Sequence, residues 1–153
     1  MKLVSLLAAG AVMASATAAF AGSPDTYVVN FRHNDAAESV VLDANIAAAL
    51  RMADVNAEEV TIDTSTAAKW EKGAHEAFDR DIVPVFNKWV GLPGFAAIVD
   101  ARSKRVVACV NSKFSASEIA SEVRRQTKMA AGRAALTDAS VSVKTTECPP
   151  AHN

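Results

Sequence analysis

The sequence predicts an α/β fold, a central mixed sheet of four to five strands flanked by helices in the order βαβ-α-ββα. Three observations carry this. Two β-rich runs bracket a helical stretch near the N-terminal end, at 27–31, 35–53 and 60–63. Two further β-rich runs at 95–99 and 105–110 are joined by a short polar turn. A capped amphipathic helix follows them at 115–130. Strand, helix and strand at this spacing make a βαβ unit with parallel strands, whereas two strands on a short connection must be antiparallel.

The first strand, Tyr27-Val28-Val29-Asn30-Phe31, is apolar on both faces apart from Asn30, as a covered central strand requires. Asp35-Ala36-Ala37-Glu38 has the D-x-x-E form of a capping box and predicts the start of a helix. Leu42, Ile46, Ala49, Leu50 and Ala53 then fall on one helical face, with Asp43, Arg51 and Asp54 off it. Val60-Thr61-Ile62-Asp63 alternates as a second strand. Helical spacing returns from Thr66 to Phe78, with Trp70, Ala74, Ala77 and Phe78 on one stripe. Pro84 restricts Asp81–Trp89 to a separate short helix or turn.

Gly91-Leu92-Pro93-Gly94 is the strongest chain breaker and precedes the hairpin, Phe95–Val99 and Arg105–Val110. Ser115-Ala116-Ser117-Glu118 is a second capping box. The helix it opens carries Ile119, Val123 and Ala130 inward and Glu122, Arg124, Arg125 and Lys128 outward. In the tail, residues 133–153, Val141 and Val143 alternate with polar residues and would add an edge strand parallel to Arg105–Val110.

Residues 1–21 have the form of a cleavable secretory signal: Lys2, an apolar run from Leu3 to Met13, and the small-x-small site Ala19-Phe20-Ala21. The apolar run is short of the roughly 20 residues of a membrane span, and charges interrupt every later one. The expected products are a signal, residues 1–21, and one domain, residues 22–153, periplasmic or secreted, with no membrane span after cleavage. A formal net charge of −1 and no long basic run argue against nucleic acid as a partner. The two cysteines, Cys109 and Cys148, do not form C-x-x-C, and in an oxidising compartment an even pair most simply means one disulfide. Such a staple would stabilise the fold by about 4 kcal/mol; a reactive thiol is the alternative.

The order βαβ, helical segment, ββα, with Gly91-Leu92-Pro93 just before the hairpin, resembles the thioredoxin-like superfamily over residues 26–130. The stretch from Gly91 to Val107, with Ile98-Val99-Asp100 and a basic turn, is most similar to its periplasmic thiol-disulfide branch. The resemblance implies a cis Leu92-Pro93 bond facing the start of the first helix. It also places the two redox cysteine positions at Ala36 and Ser39, and the family's buried acid at Asn30. All three parts of the dithiol machine are absent, so thiol-disulfide exchange by the usual route is not expected. No base is evident that would activate Ser39.

The resemblance leaves a groove as the candidate site. Arg32, His33, Asn34, Asp35, Ala36 and Ser39 lie on one side, and Leu92, Pro93 and Gly94 on the other. Gly94, where family members often carry Thr, would leave room for a partner's extended backbone. The expected function is therefore a redox-inactive binding or accessory module with a protein or peptide partner and no cofactor; an enzyme is not favoured. The alternatives are a divergent oxidoreductase using Cys109 and Cys148, and a metal-binding protein using His33, Asp35 and Glu38, joined in space by His75 or His152. That spacing matches no metal motif. Trp70, Phe78, Phe86, Trp89 and Phe95 are expected in the core, and the basic face of Arg124, Arg125, Lys128 and Arg133 in solvent.

Overall fold

A computed structural model of the chain describes residues 22–130 and 147–152. The signal expected at residues 1–21 and the strand expected at Val141–Val143 lie outside the described residues. The elements are β1 (Thr26–Arg32), α1 (Ala37–Ala53), β2 (Ala57–Asp63), α2 (Ala67–Asp79), α3 (Val83–Trp89), β3 (Phe95–Asp100), β4 (Val106–Asn111) and α4 (Ala116–Ala130). Four strands form one mixed sheet in the order β2-β1-β3-β4. β1 pairs parallel with β2 and antiparallel with β3, and β3 pairs antiparallel with β4. The arrangement is α/β, with helices on both faces, and is compatible with a thioredoxin-like one.

β1 is central, which is why it is apolar on both sides. Tyr27, Val29 and Phe31 pack with Ile62, Phe86, Trp89 and Phe95 on the face covered by α2 and α3. Val28 packs with Leu42, Ile46, Ile98, Ile119 and Val123 on the face covered by α1 and α4. Cys109 of the edge strand β4 is bonded to Cys148, 39 residues further along the chain, with their Cα atoms 5.1 Å apart. The expected staple is therefore present, and it ties the end of the chain to the α3 face of the sheet.

Three local expectations are corrected. Asp35 does not cap α1: the N-cap residue is Ala36, with no side-chain cap hydrogen bond. The turn closes one residue later than D-x-x-E implies, because the Ala36 N–H donates to His33 O (3.1 Å) and the Asp35 N–H to His33 Nδ1 (3.3 Å). On α2, Trp70 and Phe78 are 47% and 73% exposed, while Phe86, Trp89 and Phe95 are buried as expected. Gly73 and Ala77 make the inward face of α2. A Cβ at Gly73 would already lie 3.5 Å from the Ile62 backbone, so the helix sits too close to β2 for an aromatic between them. On α4, Glu122 is buried, held by Arg125 (2.6 Å) and Gln126 (2.7 Å). Arg124 is half-buried and donates to the Met52 and Ala53 carbonyls at the end of α1, satisfying acceptors that a helix C-terminus leaves open.

Candidate functional site

The expected groove lies where the C-terminal end of β1 runs into α1, beside the loop from α3 to β3. No peptide bond among the described residues is cis, so the Leu92–Pro93 bond is trans, contrary to what the resemblance implies. The chain reverses instead through Gly91 and Gly94, both at φ 89°, a conformation that costs glycine little. The Leu92 N–H donates to Trp89 O (3.0 Å) and the Gly94 N–H to Phe31 O (2.9 Å), fixing the loop at both ends. Beneath it, Phe31 stacks on Phe95 with centroids 5.0 Å apart, and Trp89 meets both rings edge-on. This aromatic floor makes the loop a rigid support.

The loop touches the start of α1. A Cβ on Gly94 would stand 3.3 Å from the Cβ of Glu38. Glycine is therefore doubly suited here, by its positive φ and by the space. Two sets of backbone groups are open along this contact. The N–H groups of Ala37 and Glu38, in the first turn of α1, have no hydrogen-bond partner among the described residues. The carbonyls of Leu92 and Pro93 likewise accept none there. Ser39, expected in the groove, is instead fully buried, and its Oγ accepts the His33 N–H (3.2 Å), so it shapes the turn from beneath. Asn34, Asp35 and Pro93 are exposed, and His33, Ala36, Leu92 and Gly94 half-buried.

A polar hub that the sequence did not disclose holds the β1–α1 turn. Asp63, at the end of β2, accepts from the Ser65 N–H (2.8 Å), the Ser65 hydroxyl and Lys69 Nζ (3.0 Å), and lies 3.5 Å from Arg32 Nη1. Ser65 Oγ in turn accepts the Asn34 N–H (2.8 Å), and Asn34 Oδ1 accepts from Arg32 Nη2 (3.3 Å). Burial works to raise the Asp63 pKa, but the hydrogen bonds from Ser65 and Lys69 outweigh it and lower it to about 2. The only local signal was Asp63-Thr64-Ser65, an Asx-turn pattern after a strand. Deeper on the same face, buried Asn30 donates to Asp43 (2.8 Å) and Glu59 (3.1 Å). The position that the resemblance assigns to an acid is thus an amide between two carboxylates.

The metal candidates do not assemble. Among the described residues no group of three or more His, Cys, Asp or Glu side chains is arranged to hold a metal ion. His33 Nδ1 is occupied by the Asp35 N–H, and His152 is held at the end of α3, with its N–H on Lys88 O and its ring on Val90 O. A cleft of about 510 Å³ lies at the opposite end of α1, lined by Asp25, Asp54, Arg124, Thr127 and Lys128 among others. Its walls serve the fold, since Arg124 caps α1 and Thr127 bonds Thr26 (2.9 Å).

Comparison of the chain with models of known protein families, with curated proteins and with solved structures finds no match among them.

Proposed function

We propose that this is an exported, thioredoxin-like protein without dithiol chemistry, which binds an extended segment of a protein or peptide partner along the groove between Pro93 and the start of α1. The observation that carries this reading is the pairing of open backbone groups: donors at Ala37 and Glu38 and acceptors at Leu92 and Pro93, on two segments in contact. An extended chain offers the complementary donors and acceptors at regular spacing, the basis of recognition by strand addition. The sheet order β2-β1-β3-β4, with β3 antiparallel to its neighbours, supports the thioredoxin-like assignment. So does the position of the Pro93 loop immediately before β3.

The absence of redox chemistry rests on Ala36 and Ser39 at the motif positions and on the closed Cys109–Cys148 bridge. Cys109 is buried on the face of the sheet opposite α1, away from the helix start that carries the redox positions Ala36 and Ser39. Export rests on residues 1–21, and no helix among the described residues is long and apolar enough to cross a membrane.

The test is an amide NMR titration with extended, unstructured peptides. Binding through the groove shifts the amides of Ala37, Glu38, Leu92 and Gly94, and Gly94→Val weakens it by blocking the space beside Glu38. Peptide binding that leaves those amides unmoved, or no binding by any peptide, would overturn the proposal. Catalytic reduction of insulin by the purified protein would sink the redox-inactive part.

A further inference from the structure

Two buried side-chain atoms lack a hydrogen-bond partner among the described residues, and both belong to β1: Asn30 Oδ1 and Arg32 Nε. Arg32 Nε stands 3.3 Å from Asp43 Oδ2, near enough for an ion pair but not aligned for a hydrogen bond. Asn30 is the more telling of the two. It is 1% exposed, and its amide points between two carboxylates, with Nδ2 donating to Asp43 Oδ1 (2.8 Å) and Glu59 Oε1 (3.1 Å). Its oxygen is left over, and a buried acceptor without a donor is costly. The two acids come from α1 and the edge strand β2 and are only partly buried, so both reach solvent.

We infer that Asn30, Asp43 and Glu59 form a binding site for a hard divalent cation, Ca²⁺ or Mg²⁺. The two ends of an amide are alike in size, so a half-turn of the Asn30 side chain puts Oδ1 where Nδ2 stands. Three oxygens from three elements then face one another, with the amide oxygen 2.8 and 3.1 Å from the two carboxylates. Oxygens around these ions stand about 3 Å apart, each about 2.0–2.6 Å from the metal. Without the ion, so close an approach of oxygens is repulsive, and the amide keeps its N–H end inward. With the ion, the oxygen that had no partner gains one. The displaced Nδ2 takes over the open place and gives up two hydrogen bonds, so the affinity is modest.

The charges agree with this site. Glu59 has no cationic partner among the described residues, and Arg32 is divided between Asp43 and Asp63 (3.5 Å). The guanidinium faces Asp43 Oδ2 and leaves Oδ1 to Asn30, which orients the carboxylate as a ligand. Thr61 is level with Asn30 in the β1–β2 register and shares the face of Glu59, adding an exposed residue with a hydroxyl oxygen beside them. Water completes the shell, as is usual for these ions. Because one ligand is an amide, the set needs no third acid or histidine.

Titration of the protein with calcium chloride and, separately, magnesium chloride tests this, at constant ionic strength held with sodium chloride. The side-chain amide signals of Asn30 in ¹H–¹⁵N spectra are the readout. At least one of the two salts should move them upfield, as the hydrogen bonds to carboxylates are lost, and should saturate with a Kd of about 10⁻⁴–10⁻³ M. Glu59→Gln and Asp43→Asn, both at partly exposed positions, should each weaken binding at least roughly tenfold, with circular dichroism confirming the fold. No saturable shift with either salt, saturation that leaves the Asn30 side chain unmoved, or saturation unchanged in Glu59→Gln would overturn the inference. No peptide is involved, so the result stands apart from the groove.

Discussion

Beneath α2 and α3 the sheet is packed by aromatic rings, with Tyr27, Phe31, Phe86, Trp89 and Phe95 in one cluster, whereas beneath α1 and α4 it is packed by Val, Leu, Ile and Ala with Phe114 as the one aromatic. The aromatic face is also the one the chain's end is tied to. The Cys109–Cys148 bridge, Trp89 Nε1 donating to Pro149 O (2.9 Å) and the His152 contacts hold residues 147–152 against α3. The aliphatic face instead admits buried polar groups, Asn30, Ser39, Glu122 and Gln126. Its helix α1 keeps an uncapped start and a bare outer side. The aromatic face carries the covalent tie and the ring contacts, while the aliphatic face carries the buried polar groups and the uncapped helix start. On the function proposed above, a partner would meet the α1 side, while the covalent tie lies on the other side of the four-stranded sheet.

The largest effect expected is on the closed face. Replacing Cys109 and Cys148 together by Ser, or reducing the bridge, frees a loop of 39 residues in the unfolded chain. It should cost about 4 kcal/mol in urea unfolding, a large part of the stability of a domain this size. The peptide-induced shifts at Ala37 and Glu38 should persist in the reduced protein where it remains folded. A groove that vanished on reduction, with the fold intact, would break the separation of the two faces.

A smaller effect belongs to the open face. Asp63 has its pKa lowered to about 2 because the hydrogen bonds from Ser65 and Lys69 favour its charged form over the cost of burial. A carboxylate depressed in the folded state stabilises the fold above its unfolded pKa, and that contribution is lost as pH falls towards the folded one. The protein should therefore lose about 2 kcal/mol of unfolding free energy between about pH 4 and pH 2 on account of this group. Asp63→Asn should be less stable at neutral pH by a similar amount and flatter across that window. Unfolding curves at a series of pH values measure both, and parallel pH profiles for the two proteins would remove Asp63 as the anchor of the β1–α1 turn.

Much of this was legible in the chain. The two-sided apolarity of Tyr27–Phe31 marked the central strand, the Gly91–Gly94 breaker marked the loop, and the cysteine pair marked the staple. What failed was information held between segments. The stripe from Trp70 to Phe78 was a true helix, but periodicity does not say which face meets the sheet; the close approach allowed by Gly73 turned the rings outward. Glu122 looked like a solvent residue because its partners, Arg125 and Gln126, act only once the helix is packed. The Asp63 hub joins the ends of two parallel strands with a helix between them in sequence, so the Asx-turn pattern at Asp63–Ser65 marks a turn but not its partners Arg32 and Lys69. The state of the Leu92–Pro93 bond was implied by resemblance alone, and the paired glycines around it achieve the reversal without a cis bond.

The smallest effect sharpens the contrast within the open face itself, between two helix starts that read alike. Asp35-Ala36-Ala37-Glu38 and Ser115-Ala116-Ser117-Glu118 share the capping-box form. Only the second is built: the Glu118 N–H donates to Ser115 Oγ (3.3 Å), and the Ser115 N–H to Glu118 Oε2 (2.7 Å). Ser115→Ala should cost about 1 kcal/mol in chemical unfolding, the usual loss for a functioning cap. Asp35→Ala should cost no more than a few tenths of that, since the exposed carboxylate bonds no helix N–H. An equal loss at both positions would mean that α1 is capped after all, and that the donors at Ala37 and Glu38 are not free for a partner. A clear difference would mean that only α4 has a working cap and that the Ala37 and Glu38 N–H groups stay open, as the proposed groove requires.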